Sequence, residues 1–176
     1  MRTILACSCV IPLLLGVPAA AAPAHKPAPE KPAATPKALG TFDDWTAATY
    51  EQGGQTVCYA FTRAQKSTPD LPKRGQVLLT VTERPNARDS IAIEAGFAFA
   101  PKAEVKLEVG STSLDFYTAQ RNAFARDDKA AVAAFDKGSR AVAQSPGPSD
   151  KQVTDTFSLH GFSAAHAAIV KACPGK

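Results

Sequence analysis

Three histidines are the side chains best able to move a proton near neutral pH, and each has a different setting. His25 sits in a run of proline, alanine and lysine, His160 follows a strand-like stretch at the start of a turn, and His166 falls on the apolar stripe of the last helix. A serine nucleophile needs a base and an orienting group within hydrogen-bond reach, so a hydrolase here would use His160 with Ser158 or Ser163. His166, flanked by apolar neighbours at helical spacing, reads as a core histidine. The chain contains no Gly-x-Ser-x-Gly elbow, phosphate loop or dinucleotide fingerprint. Its cysteines are not spaced as ligands and no two histidines stand four apart, so no metal is expected. Asp43-Asp44 and Asp127-Asp128 could be read as paired carboxylates, but neighbours in a strand point to opposite faces and the second pair reads as a helix cap. The expectation is no catalytic residue, no metal and no cofactor.

The cysteines matter more for location than for reactivity. Arg2, an apolar run from Ile4 to Val17 and the small residues Ala19 to Ala22 have the layout of a secretory signal over residues 1–21. Cleavage is expected near Ala21, with Ala24 as the alternative, and the apolar run is too short to span a bilayer. Ile4-Leu5-Ala6-Cys7 has the letters of a lipoprotein box but stands ahead of the apolar run, so Cys7 and Cys9 read as small residues of the discarded segment. Of the four cysteines, Cys58 and Cys173 remain. The protein is then expected in the periplasm, or secreted or at the cell surface, with no transmembrane segment in the mature chain. In that oxidising setting the remaining pair is a disulfide candidate.

Residues 22–40 hold Pro23, Pro27, Pro29, Pro32 and Pro36 and no large apolar residue except Leu39, the composition of an extended flexible linker. Residues 41–176 form the expected single domain. Over them sixteen Lys or Arg oppose fifteen Asp or Glu, so the basic excess behind the sequence pI near 8.9 lies outside the domain. No stretch concentrates arginine with aromatics, which argues against nucleic acid; the expected partner is a protein or another envelope component.

Period-two alternation dominates the domain. Ile91, Ile93, Ala95, Phe97 and Phe99 share one face, Val105, Leu107 and Val109 alternate with Glu104, Lys106 and Glu108, and Val57, Tyr59 and Phe61 repeat the pattern. Residues 76–83, apolar on both faces, read as a central strand. Further strands are expected over residues 43–50, 114–118, 121–125, 140–144 and 153–159, with turns at Gly53-Gly54, Arg84-Pro85-Asn86, Pro101-Lys102 and Gly110-Ser111. The spacing predicts a mainly β fold, an antiparallel sandwich or barrel. Two helices interrupt it: a short one capped by Asp127 or Asp128, burying Ala131, Val132 and Phe135, and one from Phe162 to Cys173 with Phe162, Ala165, His166, Ile169, Val170 and Cys173 on one stripe. Cys58 falls on the strand face opposite Val57, Tyr59 and Phe61, and Cys173 points inward, so a bridge would staple the terminal helix across the sheet. Among the aromatics Trp45, Tyr50, Phe97, Phe99, Phe116 and Tyr117, the adjacent pair Phe116-Tyr117 must place one ring outward. Tyr117, with His160, is therefore the candidate binding surface.

Phe42-Asp43-Asp44-Trp45, Val57-Cys58-Tyr59-Ala60, Thr82-Glu83-Arg84-Pro85 and the closing block from Asp155 through His160-Gly161-Phe162 to Lys171-Ala172-Cys173 carry a resemblance. Together they are similar to the invasion-associated locus B family of Gram-negative envelope proteins, with the closing block the most specific part. The resemblance implies a secreted β-sandwich-like domain, no catalytic residues, and a role in host-cell entry named from pathogen members. The chain lacks the extra cysteines that some members carry and resembles a two-cysteine branch.

Overall fold

In the computed structural model, which describes residues 35–175, the chain forms ten strands and two helices. They are β1 (Lys37–Phe42), β2 (Trp45–Gln52), β3 (Gln55–Thr68), β4 (Leu78–Arg84), β5 (Ala87–Glu94), β6 (Glu104–Val109), β7 (Thr112–Ala119), β8 (Asn122–Ala125), α1 (Asp128–Phe135), β9 (Arg140–Pro146), β10 (Gln152–Ser158) and α2 (Phe162–Ala172). The signal-like segment with Cys7 and Cys9, His25, and residues 22–34 of the expected linker lie outside the described residues. The first strand begins at Lys37, ahead of the boundary at Thr41 that composition suggests.

Every strand pairing is antiparallel, and the order β3-β10-β9-β6-β7-β8-β5-β4 returns to β3, so eight strands close a barrel. Closure depends on the length of β3. Its first half pairs with β2 and its second half with β10, while β4 runs along Cys58 to Arg63. The interior is packed, not hollow: Leu79, Val81, Ile91, Ile93, Val105, Leu107, Phe116 and Phe157 belong to one buried cluster. In β6 the alternation is complete, with Val105, Leu107 and Val109 inward and the three charged residues outward.

Both helices join this cluster at the same end of the barrel. Asp127 caps α1 by accepting from the Ala130 amide at 2.9 Å, and Ala131 and Phe135 are buried. In α2, Phe162, Ala165 and Ile169 are buried. Phe162 is wedged edge-on between Trp45 and Phe135, with centroids 5.0 and 5.2 Å away. Trp45 also donates from Nε1 to the Ser158 carbonyl at 3.0 Å, joining the start of β2 to the end of β10. The Cys58–Cys173 disulfide, with Cα atoms 6.0 Å apart, fixes the far end of α2 to β3. Among the described residues no helix is long and apolar enough to cross a membrane.

Gly161 makes the entry into α2 possible. It sits at φ 88°, and a Cβ placed there would lie 1.9 Å from the Phe42 carbonyl oxygen. Gly161→Ala therefore combines left-handed strain with a backbone clash, and its urea midpoint should fall by the equivalent of about 2 to 3 kcal/mol.

The opposite end is closed by loops. Ala95, Phe97 and Val153 form a second buried cluster with Leu71 and Phe99 against it. Arg74 spans this end: Nη1 and Nη2 donate to Asp155 at 2.8 and 2.7 Å, Nε donates to the Ala95 carbonyl at 2.7 Å, and the guanidinium lies 5.0 Å from the Phe97 ring centroid.

Several expectations need correction. The run from Ile91 to Phe99 is not one strand: β5 stops at Glu94, because Gly96 takes φ 74° and packs so closely on Gly75 that a Cβ would lie 2.6 Å from its carbonyl oxygen. Phe97 and Phe99 reach the interior from a loop. In β3 the inward row is Cys58, Ala60 and Thr62, whereas Tyr59 and Phe61 are half-exposed; barrel closure, not hydrophobicity, chooses that face. Asp43-Asp44 forms the turn between β1 and β2 instead of lying in a strand, with Asp43 at φ 47°. On α2, Val170 is exposed, and on α1, Val132 is only half-buried.

Candidate functional site

Inward positions of β4 are Leu79, Val81 and Glu83, and the third of these puts a carboxylate where two aliphatic side chains would lead one to expect a third apolar group. Glu83 is 0 % exposed. The β4–β5 hairpin shifts register between Thr82 and Arg84, and Asp89 adopts φ 56°. This irregular turn folds Arg88 and Asp89 back over the Glu83 carboxylate.

Glu83 Oε1 accepts from the Asp89 amide at 3.3 Å and lies 3.4 Å from Nε2 of His166, brought in by α2. The same His166 nitrogen is 2.8 Å from Asp89 Oδ1. Arg88 Nε approaches Glu83 Oε2 to 2.7 Å, an ion pair by distance. Arg88 Nη1 donates to the Cys173 carbonyl at 2.6 Å, so one guanidinium touches both the cluster and the disulfide-bearing residue. The imidazole is held flat against Phe162, 5.5 Å away with 13° between the planes. Asp128 completes the group, its Oδ1 accepting from the Ile91 amide at 2.9 Å.

Burial raises the Glu83 carboxyl above the ordinary glutamate range, and the neighbouring Asp89 adds to the rise against the opposing charge of Arg88. Burial likewise raises Asp128, with the Ile91 amide working the other way. Three carboxylates thus surround one guanidinium and one imidazole. Among them Glu83, Asp89 and His166 each offer a ligand atom, all within 4.8 Å of one another. Nothing in the periodicity announced this cluster: Glu83 stood in an apolar strand, and His166 was assigned to the core. The available signal was a charged residue in an inward strand position with Arg88-Asp89 following one hairpin turn later.

Tyr117 is 45 % exposed on β7. It stacks on Phe124 of β8 at 5.5 Å, with the Arg126 guanidinium 5.8 Å from its ring. Its neighbour Phe116 is fully buried, as alternation requires. His160 is exposed in the turn between β10 and α2, where its amide donates to Ser158 Oγ at 3.2 Å and its carbonyl accepts from Asp44 at 3.3 Å. Ser163 Oγ donates to Asp136 at 2.6 Å. The two serines therefore bond to a main-chain amide and to a helix-terminal carboxylate, and Tyr117 and His160 stand on different elements. A second aromatic row was missed: Tyr50, Tyr59 and Phe61 line the outer face of β2 and β3, with ring centroids 5.6 and 6.0 Å apart along the row.

A family model described as "Invasion associated locus B (IalB) protein" matches residues 45–170. The crystal structure of invasion associated protein b from Bartonella henselae is similar with a TM-score of 0.55 at 18% identity, covering 76% of this chain and 95% of that one. No curated protein matches the chain. The family match runs from Trp45, through the hairpin that carries Glu83 and the Gly161-Phe162 entry to α2, almost to the end of that helix, and the chain belongs to the invasion-associated locus B family.

Proposed function

We propose that the protein is an exported, non-enzymatic interaction domain of the cell envelope, one that binds a protein or envelope partner through the outside of its barrel. The observation that carries the reading is Tyr117, kept outward between Phe124 and Arg126 while the adjacent Phe116 fills the core. Tyrosine and arginine are the side chains that most often anchor protein interfaces. Export is supported by the Cys58–Cys173 bridge, and a near-neutral domain presents no field that would attract nucleic acid. The family name points the search toward association with host cells.

A periplasmic accessory of envelope assembly or stress is the second reading, favoured by the same disulfide, and it differs in topology. A hydrolase built on His160 has less support, since Ser163 is engaged by Asp136. Proteinase K added to intact cells should degrade the protein while a periplasmic control survives. Survival of both until the outer membrane is opened would leave the periplasmic accessory and end the host-surface reading.

A further inference from the structure

We propose that Glu83, Asp89 and His166 bind one divalent cation of the zinc class. The site is independent of the partner-binding face and draws on three parts of the chain: the end of β4, the start of β5 and the middle of α2.

The donor set comes first. An imidazole nitrogen with two carboxylate oxygens suits zinc, manganese or ferrous iron, whereas calcium and magnesium favour oxygen alone. With bonds of about 2.0 to 2.1 Å, two ligands on a tetrahedral zinc stand about 3.4 Å apart. His166 Nε2 and Glu83 Oε1 are already 3.4 Å apart. His166 Nε2 and Asp89 Oδ1, now hydrogen-bonded at 2.8 Å, need to separate by only about half an ångström to reach the same spacing. Binding exchanges that hydrogen bond for two coordinate bonds: the Nε2 lone pair turns to the cation and the ring proton resides on Nδ1.

The second observation is independent of spacing. Glu83 is fully buried, with Oε2 held 2.7 Å from Arg88 Nε and Oε1 turned toward His166 and Asp89, and a buried carboxylate is costly unless cations offset it. Arg88 offsets part of the charge, but Asp89 and Asp128 leave negative charge in excess. A cation between Glu83, Asp89 and His166 removes that excess. Arg88 then remains behind Glu83 Oε2 and orients the carboxylate, as outer partners of metal ligands do. Entry is open from solvent, because the side chains of Asp89 and His166 are 31% and 16% exposed, while Phe162 keeps the imidazole from turning away.

The test is calorimetric titration of the purified, chelator-treated, disulfide-intact protein with zinc chloride, alongside cobalt(II) absorption. One ion per chain is expected. Asp89→Asn and His166→Gln should each weaken binding at least about tenfold, with near-UV circular dichroism confirming that both fold. His25→Ala and His160→Ala should leave affinity unchanged. Cobalt should show the visible bands of a four- or five-coordinate site in the unaltered protein, a readout that needs no variant. The proposal is overturned by a lack of saturable binding up to about 1 mM zinc. It is equally overturned by affinity that survives both ligand substitutions, or by cobalt that keeps the spectrum of the hydrated ion.

Discussion

Replacing Cys58 and Cys173 together by alanine is expected to remove about 5 kcal/mol of stability. The bridge joins residues 115 positions apart, so it constrains about two thirds of the 176-residue unfolded chain. Its two ends also sit where the loss is felt. Cys58 is fully buried in the inward row of β3, and Cys173 ends the helix that closes the barrel. For a domain of this size the predicted change lowers the melting temperature by about 15 °C. Melting with and without a reductant should show the same shift in the unaltered protein and none in the double variant. If reduction leaves the melt where it was, the bridge does not govern stability.

Arg74→Met should destabilise the domain by about 3 to 5 kcal/mol, because it strands Asp155 in the interior. The pair is nearly dry, with side chains 7% and 2% exposed. Without the guanidinium, Asp155 retains only the Ser67 hydroxyl at 2.7 Å, and the Ala95 carbonyl and the Phe97 face lose their partner at the same time. The decisive comparison is with Arg74→Met combined with Asp155→Leu. A well-packed apolar pair often replaces a buried ion pair without loss, so urea unfolding should place the double variant nearer the original protein than Arg74→Met alone. A double variant as unstable as the sum of its parts would mean that the loops at this end need the charges themselves.

These two interactions differ in how far the sequence announced them. Two cysteines left once the signal-like segment is set aside, one in a strand and one on the apolar side of a terminal helix, were enough to propose the bridge. Arg74 gave no signal, because its partner lies on β10 and only the closed barrel brings the two together. The same distinction runs through the fold. The alternation in β6, the Phe116-Tyr117 split and the Asp127 cap are local, and each was legible. The choice between sandwich and barrel was not, since it depends on β3 meeting β10 far along the chain. The inward face of β3 was misread for that reason: Tyr59 and Phe61 are the larger apolar side chains, but the neighbours that cover Cys58 and Ala60 come from elsewhere. Glu83 escaped because a pattern built on apolar residues treats a charge as the end of a strand, when here it is the start of a cluster.

Closing the ring also limits where another chain could extend the sheet. Among the described residues β1 is the strand with a partner on one side only, so it carries the open row of amide and carbonyl groups that another chain could extend. That row is short and broken: the β1–β2 ladder shifts register between Ala38 and Gly40, and Lys37 sets a positive charge at its start. Bulges and lysines on an exposed edge are the usual obstacles to edge-to-edge stacking. The fold thereby keeps its backbone from templating aggregation, with eight of its ten strands withdrawn into a surface that has no edge.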